Sequence, residues 1–177
     1  TSITQGGCAS RPGLAYTNII SRLLNRNCIN LGFSGNGHLE ISIAQILSNI
    51  KKAIFIIDCM WNIDEKIVKE NTKPFIDTLR SKQRIFKSPI IFHEQYLSNL
   101  NHPDKKFIKS VIKKNRALKK QIENEKNKGF KNLYLVEQDG CIDEDSEATV
   151  DGVHFNDLGF ERYSRHLINK LRDNRLI

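Results

Sequence analysis

The sequence predicts an α/β protein, a three-layer α/β/α sandwich on a doubly wound parallel sheet. Three observations carry that prediction. Short β-branched runs alternate with longer stretches of helical periodicity. The polar residues with catalytic chemistry fall directly after those runs, where open parallel sheets place their sites. No linker, internal repeat or low-complexity tract divides the chain, so a single domain over residues 1–177 is expected.

The elements follow in order. Leu14 to Asn25 reads as a helix, with Tyr16, Ile19, Ile20, Leu23 and Leu24 at three-to-four-residue spacing. "NCINLGF", Asn27 to Phe33, reads as a strand, Leu39 to Ile50 as a second helix, and "AIFIID", Ala53 to Asp58, as the next strand. Asp64 to Arg80 is helical and is expected to break near Thr72, because Pro74 suits a first turn capped by that threonine. The strand "PIIFHE", Pro89 to Glu94, precedes a basic helix, and "NLYLVEQ", Asn132 to Gln138, is the next strand. An acidic loop around Asp143 to Glu147 leads to a last helix, Asp157 to Asn174. This order opens with a helix where a doubly wound sheet opens with a strand. A further strand is therefore expected upstream of Thr1, and "TSITQGG", Thr1 to Gly7, is expected to be the loop that leaves it.

Composition narrows the function classes. Apolar runs such as Ala53 to Ile57 fall far short of the roughly 20 residues that span a bilayer, so no membrane span is expected. Between Asp104 and Lys131, eleven Lys or Arg face three Asp or Glu, an excess equal to the net charge of +8 carried by the whole chain. Within that segment Phe107, Ile108, Val111, Ile112, Leu118 and Ile122 form an apolar stripe with the lysines opposite. This is a solvated helix face, or alternatively a surface for a polyanion or anionic polysaccharide; no nucleic-acid partner is expected. Cys8, Cys28, Cys59 and Cys141 lack metal-site spacing, so no metal is expected.

The residues at successive strand ends converge on one chemistry. Ser2 follows the expected upstream strand. Ser34, Gly35 and Asn36 of "GFSGNG" follow the next, and Asp58 and Asn62 of "DCMWN" the third. His93 and Glu94 end the fourth, and Asp151 and His154 of "DGVHFND" follow the fifth. A serine nucleophile needs a base, and the base needs a carboxylate to hold its tautomer; Asp151, three residues before His154, can do so within one turn. The triad is then Ser2, His154 and Asp151. An oxyanion needs donors, which a backbone N–H at Gly35 and the side-chain amide of Asn62 can supply. Each piece also has a plainer use: Asp-x-x-His as a helix cap, "GFSGNG" as a strand-to-helix turn, Asn62 as a helix-start residue.

These blocks together resemble the SGNH (GDSL-like) hydrolases, particularly the bacterial branch whose first block reads like "TSITQGG", and the resemblance spans nearly the whole chain. It implies a flavodoxin-like sheet, with Ser2 as nucleophile and also as oxyanion donor through its own backbone N–H, completed by Gly35 and Asn62. Two blocks depart from the usual pattern: Thr1-Ser2 stands where Gly-Asp-Ser is usual, and no acid follows Asn62 where Gly-x-Asn-Asp is usual. The implied activity is that of a serine esterase working through an acyl-enzyme, with no cofactor. Its substrates would be carboxylic esters, with small acyl (acetyl) groups on carbohydrate, a lipid or a thioester all open, and its location periplasmic or secreted. Trp61, as a sugar-stacking wall, and His93 are candidate substrate contacts, with ordinary packing as the alternative for each. Cys8 and Cys59 belong to the same edge, paired or separate. Two rival functions are a catalytically silent carbohydrate-binding domain on this fold and a polyanion binder acting through the 104–131 helix.

Overall fold

The structure, a computed structural model, describes residues 1–82, 88–97 and 104–177. In chain order the elements are α1 (Ser2–Gln5), a 3-10 turn (Pro12–Leu14), α2 (Tyr16–Leu24), α3 (Ile41–Leu47), β1 (Phe55–Ile57), α4 (Glu65–Arg80), β2 (Ile90–His93), α5 (Lys105–Asn127), β3 (Leu133–Val136) and α6 (Asp157–Asp173). The described residues group into two compact units, residues 1–36, 96–97 and 138–177 in the first, and residues 37–82, 88–95 and 104–137 in the second. No described helix is long and apolar enough to cross a membrane.

The second unit holds the sheet. Its three strands are parallel in the order β1-β2-β3, with Phe55 opposite Ile90 and Ile90 opposite Leu133. Parallel neighbours cannot be joined by a hairpin, so helices α4 and α5 make the two crossovers. Apolar residues of the strands (Phe55, Ile57, Ile90, Phe92, Leu133) form one core with Val68, Phe75, Ile76 and Leu79 of α4 and Leu118 and Ile122 of α5. Asp64 caps α4, its Oδ1 accepting from the Ile67 N–H at 2.8 Å, and Asp104 caps α5.

Three expectations are corrected here. The helix does not break near Thr72: α4 runs on through Pro74. Val68, Thr72, Phe75, Ile76 and Leu79 share one buried face on both sides of the proline, and Pro74 itself is exposed, so packing outweighs the lost backbone bond. Thr72 does not cap; its hydroxyl donates back to the Val68 carbonyl at 2.6 Å. The inward face of α5 is Val111, Lys114, Ala117, Leu118, Ile122 and Glu125, while Ile112 is exposed. Lys114 takes a core position because its Nζ donates to the carbonyls of Met60 and Ile63, capping the turn after β1.

In the first unit, residues 26–33 are not a strand. Asn30 ties the segment to helices α1 and α2 instead of a ladder. Asn30 Nδ2 donates to the Thr4 carbonyl at 2.7 Å and to Thr17 Oγ1 at 2.9 Å, and the backbone at Gly32 approaches so closely that a Cβ there would lie 2.1 Å from the Gln5 nitrogen. Nor is Thr1 to Gly7 a loop. Thr1 Oγ1 accepts from the Thr4 N–H at 3.1 Å, Ile3 is buried, and Gly6 closes the helical turn at φ 90°. Helices α2 and α6 match their sequence bounds to within a few residues, with Asn156 capping α6 through the Gly159 N–H at 3.0 Å. All four cysteines are free thiols; Cys8 is exposed and Cys59 buried, so the possible pairing of these two is not formed.

Burial moves the Lys114 ammonium down from an ordinary 10.5 to about 8. Between those values the unfolded chain holds a proton that the folded protein has released, so this group makes stability rise with pH across that window. Replacing it, Lys114→Met, strands two carbonyls and is expected to cost about 1–3 kcal/mol. Denaturant unfolding should show the wild-type advantage over Lys114→Met growing from pH 8 toward 10.5; a flat difference would contradict the buried-ammonium account.

Candidate active site

The first unit brings the two ends of the chain together. Ser2 Oγ lies 2.9 Å from His154 Nε2, and His154 Nδ1 lies 2.7 Å from Asp151 Oδ2. With Nδ1–H donated to the carboxylate, Nε2 is left as an acceptor for the serine hydroxyl. Ser2 is half-buried, and the His154 and Asp151 side chains are 33% and 50% exposed, so the three groups are open to a substrate from solvent.

Local sequence explains why the His154 turn takes this shape. Asp151 Oδ1 accepts from the backbone N–H of both Val153 (2.9 Å) and His154 (2.7 Å), which wraps the turn around one carboxylate oxygen and leaves Oδ2 for the imidazole. Gly152, at φ 84°, supplies the left-handed residue that this tight wrap demands. Outside the turn, the Thr149–Phe155 bridge and the bond from Val150 N–H to the His154 carbonyl at 2.9 Å close its stem. The Asp151 carboxyl is lowered from 3.8 to about 2, first by the His154 backbone N–H and then by the His154 ring.

The "TSITQGG" helix shapes the serine side. Ser2 is the first residue of α1, where a backbone N–H has no intrahelical acceptor and points outward from the helix start. Gly35, at φ 63°, lies in the turn closed by the Asn36 N–H to Phe33 carbonyl bond, and Gln5 Oε1 holds that turn by accepting from the Ser34 N–H at 3.0 Å. Gln5 and Asn30 are the anchoring residues that sequence reasoning missed. A four-residue helix carries too little periodicity to reveal them.

The other candidates belong to the second unit. Asn62 lies in the turn after β1, its N–H donating to the Cys59 carbonyl at 2.9 Å, and the start of α4 is capped by Asp64 instead. Trp61 stacks on Phe107 with ring centroids 6.1 Å apart, so one face of the indole is already covered by packing. His93, at the end of β2, is 0% exposed.

Known proteins share this arrangement of sequence and fold. The family model of the GDSL-like lipase/acylhydrolase family matches residues 1–172. A crystal structure of a protein from Bacteroides ovatus described as a GDSL-like lipase superposes with a TM-score of 0.90 at 38% identity, covering 97% of this chain and 50% of that one. The salicylyl-acyltransferase SsfX3 from a tetracycline biosynthetic pathway shares the fold, with a TM-score of 0.80 at 13% identity, over 96% of this chain and 51% of that one. The chain thus spans about half the length of these two solved structures. None of the curated proteins matches this sequence. The parallel α/β architecture, the family model and the 38% identity agree: the chain belongs to the GDSL-like lipase/acylhydrolase family.

Proposed function

We infer that this chain is a serine ester hydrolase, with Ser2 as nucleophile, His154 as general base and acid, and Asp151 as the carboxylate that orients and stabilises the imidazole. The observation that carries this reading is the unbroken path from Ser2 Oγ through the His154 ring to Asp151 Oδ2, with a 2.9 Å link between groups 152 residues apart in sequence and a 2.7 Å link within one turn. Family membership supports it independently.

The chemistry follows from that path. Ser2 Oγ attacks the ester carbonyl carbon while its proton passes to His154 Nε2; the tetrahedral intermediate collapses, His154 returns the proton to the leaving alkoxide, and the acyl group remains on Ser2. Water, deprotonated by the same imidazole, then releases the acid. The backbone N–H groups of Ser2 and Gly35 are the proposed donors to the oxyanion. Asn62 as a further donor rests on the resemblance of its block. The exposure of the histidine and aspartate leaves the serine open to an ester from solvent, and acetyl esters of carbohydrate are the proposed substrates, as the family resemblance suggests.

Ser2→Ala in the full chain is expected to abolish p-nitrophenyl acetate turnover and labelling by a fluorophosphonate probe; turnover retained at the wild-type rate would overturn the assignment. Asp151→Asn, which keeps an acceptor for the turn but loses the charge, should lower kcat on the order of a thousandfold with the fold intact. The Asp151 carboxyl stays ionised down to about pH 2, so mild acidification does not discharge it. A depressed carboxyl stabilises the fold above its ordinary value and ceases to do so as pH falls through its folded value. The stability difference between wild type and Asp151→Asn should therefore vanish between about pH 4 and pH 2, as read by urea unfolding.

A further inference from the structure

One buried polar group beside His154 has no part in the chemistry just described. Tyr96 is 4% exposed and belongs to the first unit. Its hydroxyl donates to the Val153 carbonyl, and its ring packs on Phe155 with centroids 5.1 Å apart. A single side chain thus grips the residue before His154 and the residue after it.

The grip falls on a specific lever. The Val153 carbonyl and the His154 N–H belong to one planar peptide group. Its N–H end is held by Asp151 Oδ1 at 2.7 Å, and its carbonyl end by the Tyr96 hydroxyl. A plane held at one end can still rock about the axis joining its α-carbons. Held at both ends, it cannot. Nothing in the turn itself supplies the second restraint: Gly152, just ahead, sits at φ 84° with open space where a Cβ would be. Rocking this plane swings the imidazole, and a displacement near 1 Å at a reacting group is enough to cost about a hundredfold in rate.

We propose that Tyr96 is a positioning residue for His154, locking the Val153–His154 peptide so that Nε2 stays in line with the Ser2 hydroxyl. This rests on the reading of Ser2 and His154 as nucleophile and base. The competing account is that Tyr96 merely satisfies a buried hydroxyl in an aromatic core. The same cluster contains a control. Tyr163 is 2% exposed and its ring lies 5.2 Å from Phe155, but its hydroxyl accepts from Gln138 Nε2 at 3.1 Å, outside the 151–154 turn.

Tyr96→Phe and Tyr163→Phe each keep the ring and delete one buried hydroxyl bond, so their thermal midpoints should fall by similar amounts. Assayed well below both midpoints with p-nitrophenyl acetate, Tyr96→Phe is expected to lose about 10- to 100-fold in kcat with KM within about twofold, and to react with a fluorophosphonate probe more slowly by the same factor. Tyr163→Phe should keep kcat within about twofold of wild type. Two results defeat the proposal alone: wild type that reacts while Tyr96→Phe matches it, or Tyr163→Phe losing as much kcat as Tyr96→Phe. Wild type that neither turns over ester nor labels at Ser2 defeats the esterase reading, and the proposal with it.

Discussion

One carboxylate organises the turn that carries His154. Asp151 Oδ1 gathers two successive backbone N–H groups, which folds residues 151–154 into a tight turn, while Oδ2 takes the imidazole of the same turn. Structure and chemistry are therefore carried by separate oxygens of one side chain. The turn places the imidazole beside the carboxylate, and the acceptor oxygen at Oδ1 holds the turn closed. The same bonds explain why the acid is so strongly held in its charged form: each is made to the carboxylate and would be weakened by a proton.

The opposite partner is set up just as locally. In Thr1 to Gly6 every residue has a distinct task. Thr1 caps, Ser2 presents its hydroxyl to His154, Ile3 anchors, and Thr4 bonds the Tyr16 hydroxyl at 3.3 Å. Gln5 holds the Ser34 N–H of the glycine turn, and Gly6 ends the helix in the left-handed region. A helix of four residues has no stability of its own. It exists because its side chains are tied to α2 and to the 26–36 segment, and those ties hold the Ser2 hydroxyl in place.

In the sheet-bearing unit the informative residue is a lysine that breaks the apolar pattern of its helix. Lys114 faces inward because the turn after β1 presents carbonyls at Met60 and Ile63 that secondary structure leaves without donors. The remaining lysines along α5 face solvent, among them Lys119, which pairs with Glu137 at 2.9 Å. The basic character of the segment thus divides between one structural cation and a solvated face.

The sequence alone determined what depends on short range and on covalent order. Strand-helix alternation and the last helix were readable from apolar periodicity, and the Asp151–His154 pairing from a spacing of three residues that one turn can bridge. Tertiary structure alone decided what depends on partners distant along the chain. A strand needs a neighbour, so the β-branched run at 27–33 became an extended segment bonded to α1. A proline ends a helix only where no shared buried face holds both halves, so Pro74 did not. Nothing in the spacing of α5 marks Lys114 as the buried position, because its acceptors lie more than 50 residues away. The meeting of Ser2 with His154 is the same kind of fact: chain order set which groups follow which strands, and only packing brought a hydroxyl and an imidazole from opposite ends of the chain to 2.9 Å.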